Sequence, residues 1–202
     1  MAINLQKGQK IDLTKGNAGI SKVMVGLGWD PVERNQGGLL SGLFGGGRQH
    51  SIDCDASVLM LNSNEKIGEK KDIIYFGNLK SECRSVVHTG DNLTGDGDGD
   101  DEQIIVDLNN VPSNIHKLVF IVNIYDCVKR KQDFGLIKNA FIRVVNSSNR
   151  QELIRYNLTD DYVGRTTLVV GEMYRHNGEW KFAAVGEGTN DPSIREFVKR
   201  YK

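Results

Sequence analysis

Residues 90–102 read Gly-Asp-Asn-Leu-Thr-Gly-Asp-Gly-Asp-Gly-Asp-Asp-Glu. From Asp91 through Asp107 the chain places seven carboxylates and neither Lys nor Arg. A packed chain gathers that much like charge against a compensating cation. The ligand chemistry selects calcium, which takes roughly six to eight oxygens from carboxylates, amides and main-chain carbonyls, over magnesium, which demands tight octahedral geometry and keeps its waters. Alternating Gly and Asp supplies such oxygens in a compact loop, because each Gly lets the chain turn through positive φ. The segment is not an EF-hand. Counted from Asp96, Asp98 and Asp100 take the third and fifth places and Asp107 the twelfth, but Asp101 stands where that motif needs Gly. The Ile-Ile-Val-Asp-Leu that follows also reads as strand, not helix.

A second acidic group lies upstream. Asp30 closes Gly-Leu-Gly-Trp-Asp at 26–30, and Asp53 and Asp55 open an apolar run. Two residues apart on a strand, Asp53 and Asp55 face the same side, which ordinary core cannot be. Together with 91–102 they form a rim for one or two metal sites. The competing chemistry is a metal-dependent hydrolase, a phosphoester-processing enzyme using the acidic loop. Such an enzyme needs a base, a nucleophile or an open metal position. Of His50, His88, His116 and His176, none pairs with another at ligand spacing, and His88 is the one placed beside the acidic loop. Its near-neutral ordinary pKa makes it available for acid–base work. The sequence carries no GxSxG, P-loop or dinucleotide fingerprint, and Gly-Leu-Phe-Gly-Gly-Gly at 42–47 lacks the Lys-Ser/Thr of a phosphate loop. A calcium-binding module without catalysis is the reading these residues favour.

Bulk properties narrow the class. The 26 acidic and 26 basic residues balance, so charge gives no reason to expect nucleic acid or an anionic membrane. No apolar run approaches the ~20 residues that span a bilayer, and the N-terminus lacks a signal peptide's apolar core, which makes the cytoplasm the default. The three cysteines are scattered: Cys54 and Cys127 sit in or beside apolar runs and read as buried, and Cys83 precedes Arg84. No small-molecule substrate is evident.

The elements that must position these residues are mostly strands. Val23, Val25 and Leu27 alternate, as do Ile104, Val106 and Leu108 after the acidic loop; 56–61 and 118–125 are apolar runs that fit central strands. Ile3, Leu5, Ile11 and Leu13 flank a Lys-Gly turn at 7–8. A hairpin is predicted at 140–156 through Ser-Ser-Asn-Arg, and another at 167–185 through Asn177-Gly178. Only the C-terminus reads as helix: Ile194, Phe197, Val198 and Tyr201 form an apolar stripe, with Asp191 as N-cap and Pro192 as first helical residue, covering an edge or end of the sheets. Residues 34–50 carry six glycines among Leu39, Leu40, Leu43 and Phe44 and read as a loop insertion. The fold expected is a β-sandwich of two antiparallel or mixed sheets with a short C-terminal helix, a single domain over 1–202.

The chain resembles the TerD family of bacterial tellurium-resistance and general-stress domains. The resemblance rests on Gly-Leu-Gly-Trp-Asp at 26–30, Ile-Asp-Cys-Asp-Ala-Ser-Val-Leu-Met-Leu at 52–61, the 90–102 segment, and Gly-Glu-Met-Tyr-Arg-His-Asn-Gly-Glu-Trp-Lys-Phe-Ala-Ala-Val-Gly-Glu-Gly at 171–188. It implies a β-sandwich that binds calcium, usually two ions. Carried onto this chain, it implies Asp53, Asp55, Asp91, Asn92, Asp98, Asp100 and Glu102 as ligands, with Asp30 nearby. It also implies a cytoplasmic protein tied to tellurite and other stresses, working with companion proteins of which one is an integral membrane protein. The chain departs from the family pattern in the glycine-rich stretch at 37–47 and in Cys54, where a plain apolar residue is usual. Direct chelation of tellurium oxyanions fits poorly, because the prominent site is itself anionic.

Overall fold

Period-two alternation becomes two stacked six-stranded sheets. The computed structural model describes residues 2–15, 19–32, 52–90 and 99–202. Strands are numbered in chain order. The first sheet runs β1 (Ile3–Leu5), β10 (Glu152–Asn157), β9 (Ile137–Asn146), β3 (Lys22–Pro31), β7 (Glu102–Asp107), β6 (Val86–His88). The second runs β2 (Lys10–Asp12), β12 (Glu179–Thr189), β11 (Thr167–His176), β8 (Lys117–Ile124), β4 (Cys54–Leu61), β5 (Ile73–Ile74). Every pairing is antiparallel except β1 with β10. The turn at Lys7-Gly8 therefore carries the chain from one sheet to the other, with Gly8 at φ +81°.

Inward residues of both sheets make one core. Val23, Val25 and Leu27 of β3 and Ile104 and Val106 of β7 pack with Ala56, Val58 and Met60 of β4 and with Phe120 and Phe182. On β7 the alternation is strict: Glu102, Ile104 and Val106 are buried and the residues between them half-buried. The two apolar runs become β4 and β8, neighbours inside the second sheet, as their composition predicts. β4 is buried along its whole length. Cys54, Ala56, Val58 and Met60 face the core, and Leu59 and Leu61 face outward with Val119 and Ile121 beneath Phe197 and Val198.

Both predicted hairpins form. β9 and β10 pair through 147–150, and β11 and β12 pair around Asn177-Gly178, both at positive φ (52° and 81°) as a tight hairpin turn requires. The C-terminal helix differs in two respects. It lies over the outer face of the second sheet, not an edge, and its cap is Ser193. The helix, α2 (Ile194–Phe197), continues as a 3-10 turn over Val198–Tyr201. Asp191 is occupied elsewhere: its carbonyl accepts from the Thr166 and Thr167 hydroxyls, and its carboxylate pairs with Arg200 at 2.7 Å. A short helix absent from the sequence reading, α1 (Cys127–Arg130), follows β8. No helix among the described residues is long and apolar enough to cross a membrane. The 34–50 insertion, with its four large apolar residues, lies outside the described residues.

Candidate functional site

The end of the acidic segment, at Glu102, meets the start of β4. β5 covers only Val58 and Leu59, so among the described residues the start of β4 has no strand on that side. Glu102, the first residue of β7, reaches across from the first sheet and closes this edge: its Oε2 accepts from the Ala56 N–H at 2.6 Å. The same oxygen lies 3.2 Å from His88 Nε2. The Gly90 N–H donates to His88 Nδ1 at 3.2 Å, so the ring proton sits on Nε2 and is donated to Glu102. Both side chains are buried, Glu102 at 2% and His88 at 2% exposure. His88 is thus a neutral donor that orients a carboxylate.

Three further carboxylates lie in the neighbourhood of Cys54. Asp101 Oδ2 accepts from the Trp29 N–H at 2.7 Å, and the Asp101 N–H donates to the Leu27 carbonyl at 2.8 Å. Asp53 lies 3.3 Å from Arg130 Nη1 of α1. Asp55 is buried at 4% exposure on the face of β4 opposite the core, with Asn123 as its cross-strand partner. The Cys54 thiol is buried near them. Burial pushes its pKa well above the ordinary thiol range, and the charges of Asp55, Asp53, Glu102 and Asp101 push the same way. Cys54 is therefore a protonated thiol, in keeping with its reading as a buried side chain.

Two other members of the expected ligand set are placed differently. Asp30 accepts from Asn139 Nδ2 on β9 at 2.7 Å. Asp100 faces Arg143: Oδ1 takes Nε at 2.7 Å and Oδ2 takes Nη2 at 2.9 Å, with Gln103 Nε2 also donating at 3.1 Å. Hydrogen bonding to Asp100 in turn raises the Arg143 pKa above its ordinary value. Asp91, Asn92 and Asp98 lie outside the described residues. Asp101, Arg143 and Arg130 were not singled out by the sequence reading. Asp101 stood in plain view within the acidic run, but nothing in the sequence pairs Arg143 or Arg130 with it.

Among the described residues no three His, Cys, Asp or Glu side chains already group as a metal-holding set. The hollows elsewhere are not built around these carboxylates. One of about 450 Å³ lies between Thr14, Arg175 and Trp180, and one of about 460 Å³ on the outer face of the first sheet beside Met24 and Arg143.

These features define a β-sandwich in which a buried carboxylate, Glu102, bridges the two sheets at the start of β4. The chain belongs to the TerD domain family, whose description matches residues 1–201. It is 67% identical over 201 residues to stress response protein SCP2 of Bacillus subtilis, covering 100% of both chains. It is 45% identical over 188 residues to tellurium resistance protein TerD of Serratia marcescens, covering 93% of this chain and 91% of that one. A crystal structure of a telluride resistance protein (TerD) homologue from Streptomyces coelicolor A3(2) has the same fold, with a TM-score of 0.67 at 18% identity over 91% of this chain and 99% of that one.

Proposed function

We propose that this chain is a calcium-binding, non-enzymatic stress-response protein that acts as a binding or scaffold module. In this reading it works in the cytoplasm with companion proteins of the same stress system, one of them a membrane protein, and supports resistance to tellurite and other toxic agents. The stress and resistance roles are carried by the names of its relatives. The calcium reading is carried by one observation: Asp55 and Glu102 are buried at 4% and 2% exposure, beside Asp53 and Asp101, where the acidic run enters β7.

The donor set fits calcium in kind. Asp53, Asp55, Asp101 and Glu102 offer hard carboxylate oxygens, and Asp91, Asn92 and Asp98 add more of the same type from 91–98. In this reading both groups contribute ligands. Bound calcium adds positive charge to these carboxylates beside that of Arg130. The protein's own part is orientation: the Ala56 N–H and His88 fix Glu102, the Trp29 N–H fixes Asp101, and Arg130 fixes Asp53. The non-enzymatic reading is supported by His88, the one histidine beside the acidic run. It is sealed from solvent and has both ring nitrogens engaged.

Thermal melting in calcium, magnesium and chelator tests the reading, alongside a metal count by elemental analysis. Calcium at a hundredfold excess over Kd stabilises the fold by about 2.7 kcal/mol, and magnesium by less. Equal midpoints in calcium and chelator would end the calcium reading.

A further inference from the structure

The outer face of the first sheet holds a socket for one carboxylate. Gln103 of β7, Gly26 of β3 and Arg143 of β9 stand in one cross-strand row. Val25 and Leu27 point into the core, so Gly26 points out. A side chain at position 26 would lie between Gln103 and Arg143, and the glycine leaves that place empty. Asp100 fills it. A Cβ on Gly26 would come within 2.2 Å of Asp100 Oδ1 and 2.3 Å of Oδ2. The carboxylate thus rests on bare backbone, with donors on either side.

Arg143 supplies the fork, 2.7 and 2.9 Å from the two oxygens, and Gln103 supplies a third donor at 3.1 Å. The Asp100 side chain is fully buried and Arg143 is 27% exposed. The remaining Arg143 nitrogen, Nη1, donates to Glu152 at 3.0 Å, which holds the guanidinium from its far side. A bidentate Arg–carboxylate pair fixes position as well as charge. The next two residues are Asp101 and Glu102, whose carboxylates turn to Trp29 of β3 and Ala56 of β4.

We propose that Asp100 is the anchor of the acidic segment and not one of its metal ligands, and that Arg143 is a positioning residue acting through it. The inference rests on the calcium reading for its consequence: the socket sets where Asp101 and Glu102 begin, and so sets metal affinity without touching the metal. Residues that orient metal ligands from outside typically change affinity about 10–100-fold when removed.

Isothermal titration with calcium of the full chain tests this on wild type, Asp100→Asn, Arg143→Lys, Arg143→Met and the Asp100→Asn/Arg143→Met double variant. All are expected to bind as many ions as wild type. Arg143→Met should weaken binding about 10–100-fold, with Arg143→Lys between it and wild type. The double variant should be no weaker than Arg143→Met, because the arginine acts only through Asp100. An ion lost in Asp100→Asn, or effects that multiply in the double variant, would overturn the proposal. If Arg143→Met does not fold, Arg143→Lys and Asp100→Asn carry the test. If wild type binds no calcium, the calcium reading fails on its own. The anchor is then judged in metal-free protein, where amide exchange over 99–103 must accelerate in Arg143→Lys; unchanged exchange there would remove it.

Discussion

Asp100 and Glu102 belong to one acidic run and both lose solvent, with side chains 0% and 1% exposed, yet the fold gives them opposite partners. Asp100 goes to the outer face of the first sheet and meets a guanidinium fork. Glu102 goes inward, across to the second sheet, and accepts from a main-chain N–H and a neutral imidazole. Main-chain and imidazole hydrogen bonds orient the Glu102 carboxylate, whereas Arg143 meets Asp100 with opposite charge and shares that charge with Glu152. The difference teaches that neighbouring carboxylates of one run are given different partners by the fold. Asp100 meets a guanidinium on one sheet, while Asp101 and Glu102 accept from main-chain N–H groups beside it.

Breaking the Arg143 side of this comparison should cost most. Arg143→Met leaves the Asp100 charge buried beside Gln103, and loss of one partner of a buried pair typically costs about 3–5 kcal/mol. Urea unfolding in chelator measures it. A loss below about 1 kcal/mol, the range of surface pairs, would mean that Asp100 simply rotates to solvent.

A smaller effect is expected from Gly26→Ala, which leaves both charges in place. Its Cβ would strike the Asp100 carboxylate, so the anchor must shift while the pair persists at longer range. Overpacking of this kind typically costs about 1–3 kcal/mol. The same unfolding experiment reads it, and a variant as stable as wild type would show that the socket does not depend on the missing side chain.

Glu102→Gln should have the least effect on the metal-free fold and a clear effect on calcium. The amide oxygen still accepts from Ala56 and His88, and one negative charge leaves the cluster, so stability in chelator should hold within about 1 kcal/mol. The calcium-induced rise in melting temperature should shrink. An undiminished rise would place Glu102, like Asp100, outside the ligand set.

Much of the architecture follows from patterns a few residues long. The alternation of Val23, Val25 and Leu27 and of Ile104 and Val106 fixes which side of each strand meets the core. Asn177-Gly178 fixes a hairpin, because both residues accept positive φ. The composition of 90–102 likewise marks an anionic segment. The helix cap was less legible: Asp191 and Ser193 are both good caps by type, and the choice between them fell to Thr166, Thr167 and Arg200, none of them local to the helix start.

What the sequence by itself determined is therefore what local rules govern: strand faces, tight turns and the sign of the charge on the acidic run. What only the tertiary structure decided is the partner of each carboxylate. Arg143 meets Asp100 across 43 positions, Ala56 meets Glu102 across 46, and Arg130 meets Asp53 across 77. Strand order sets those meetings. The antiparallel register that puts Gly26 between Gln103 and Arg143, and the sheet stacking that brings β7 to the open edge of β4, bring together groups that no short spacing in the chain relates.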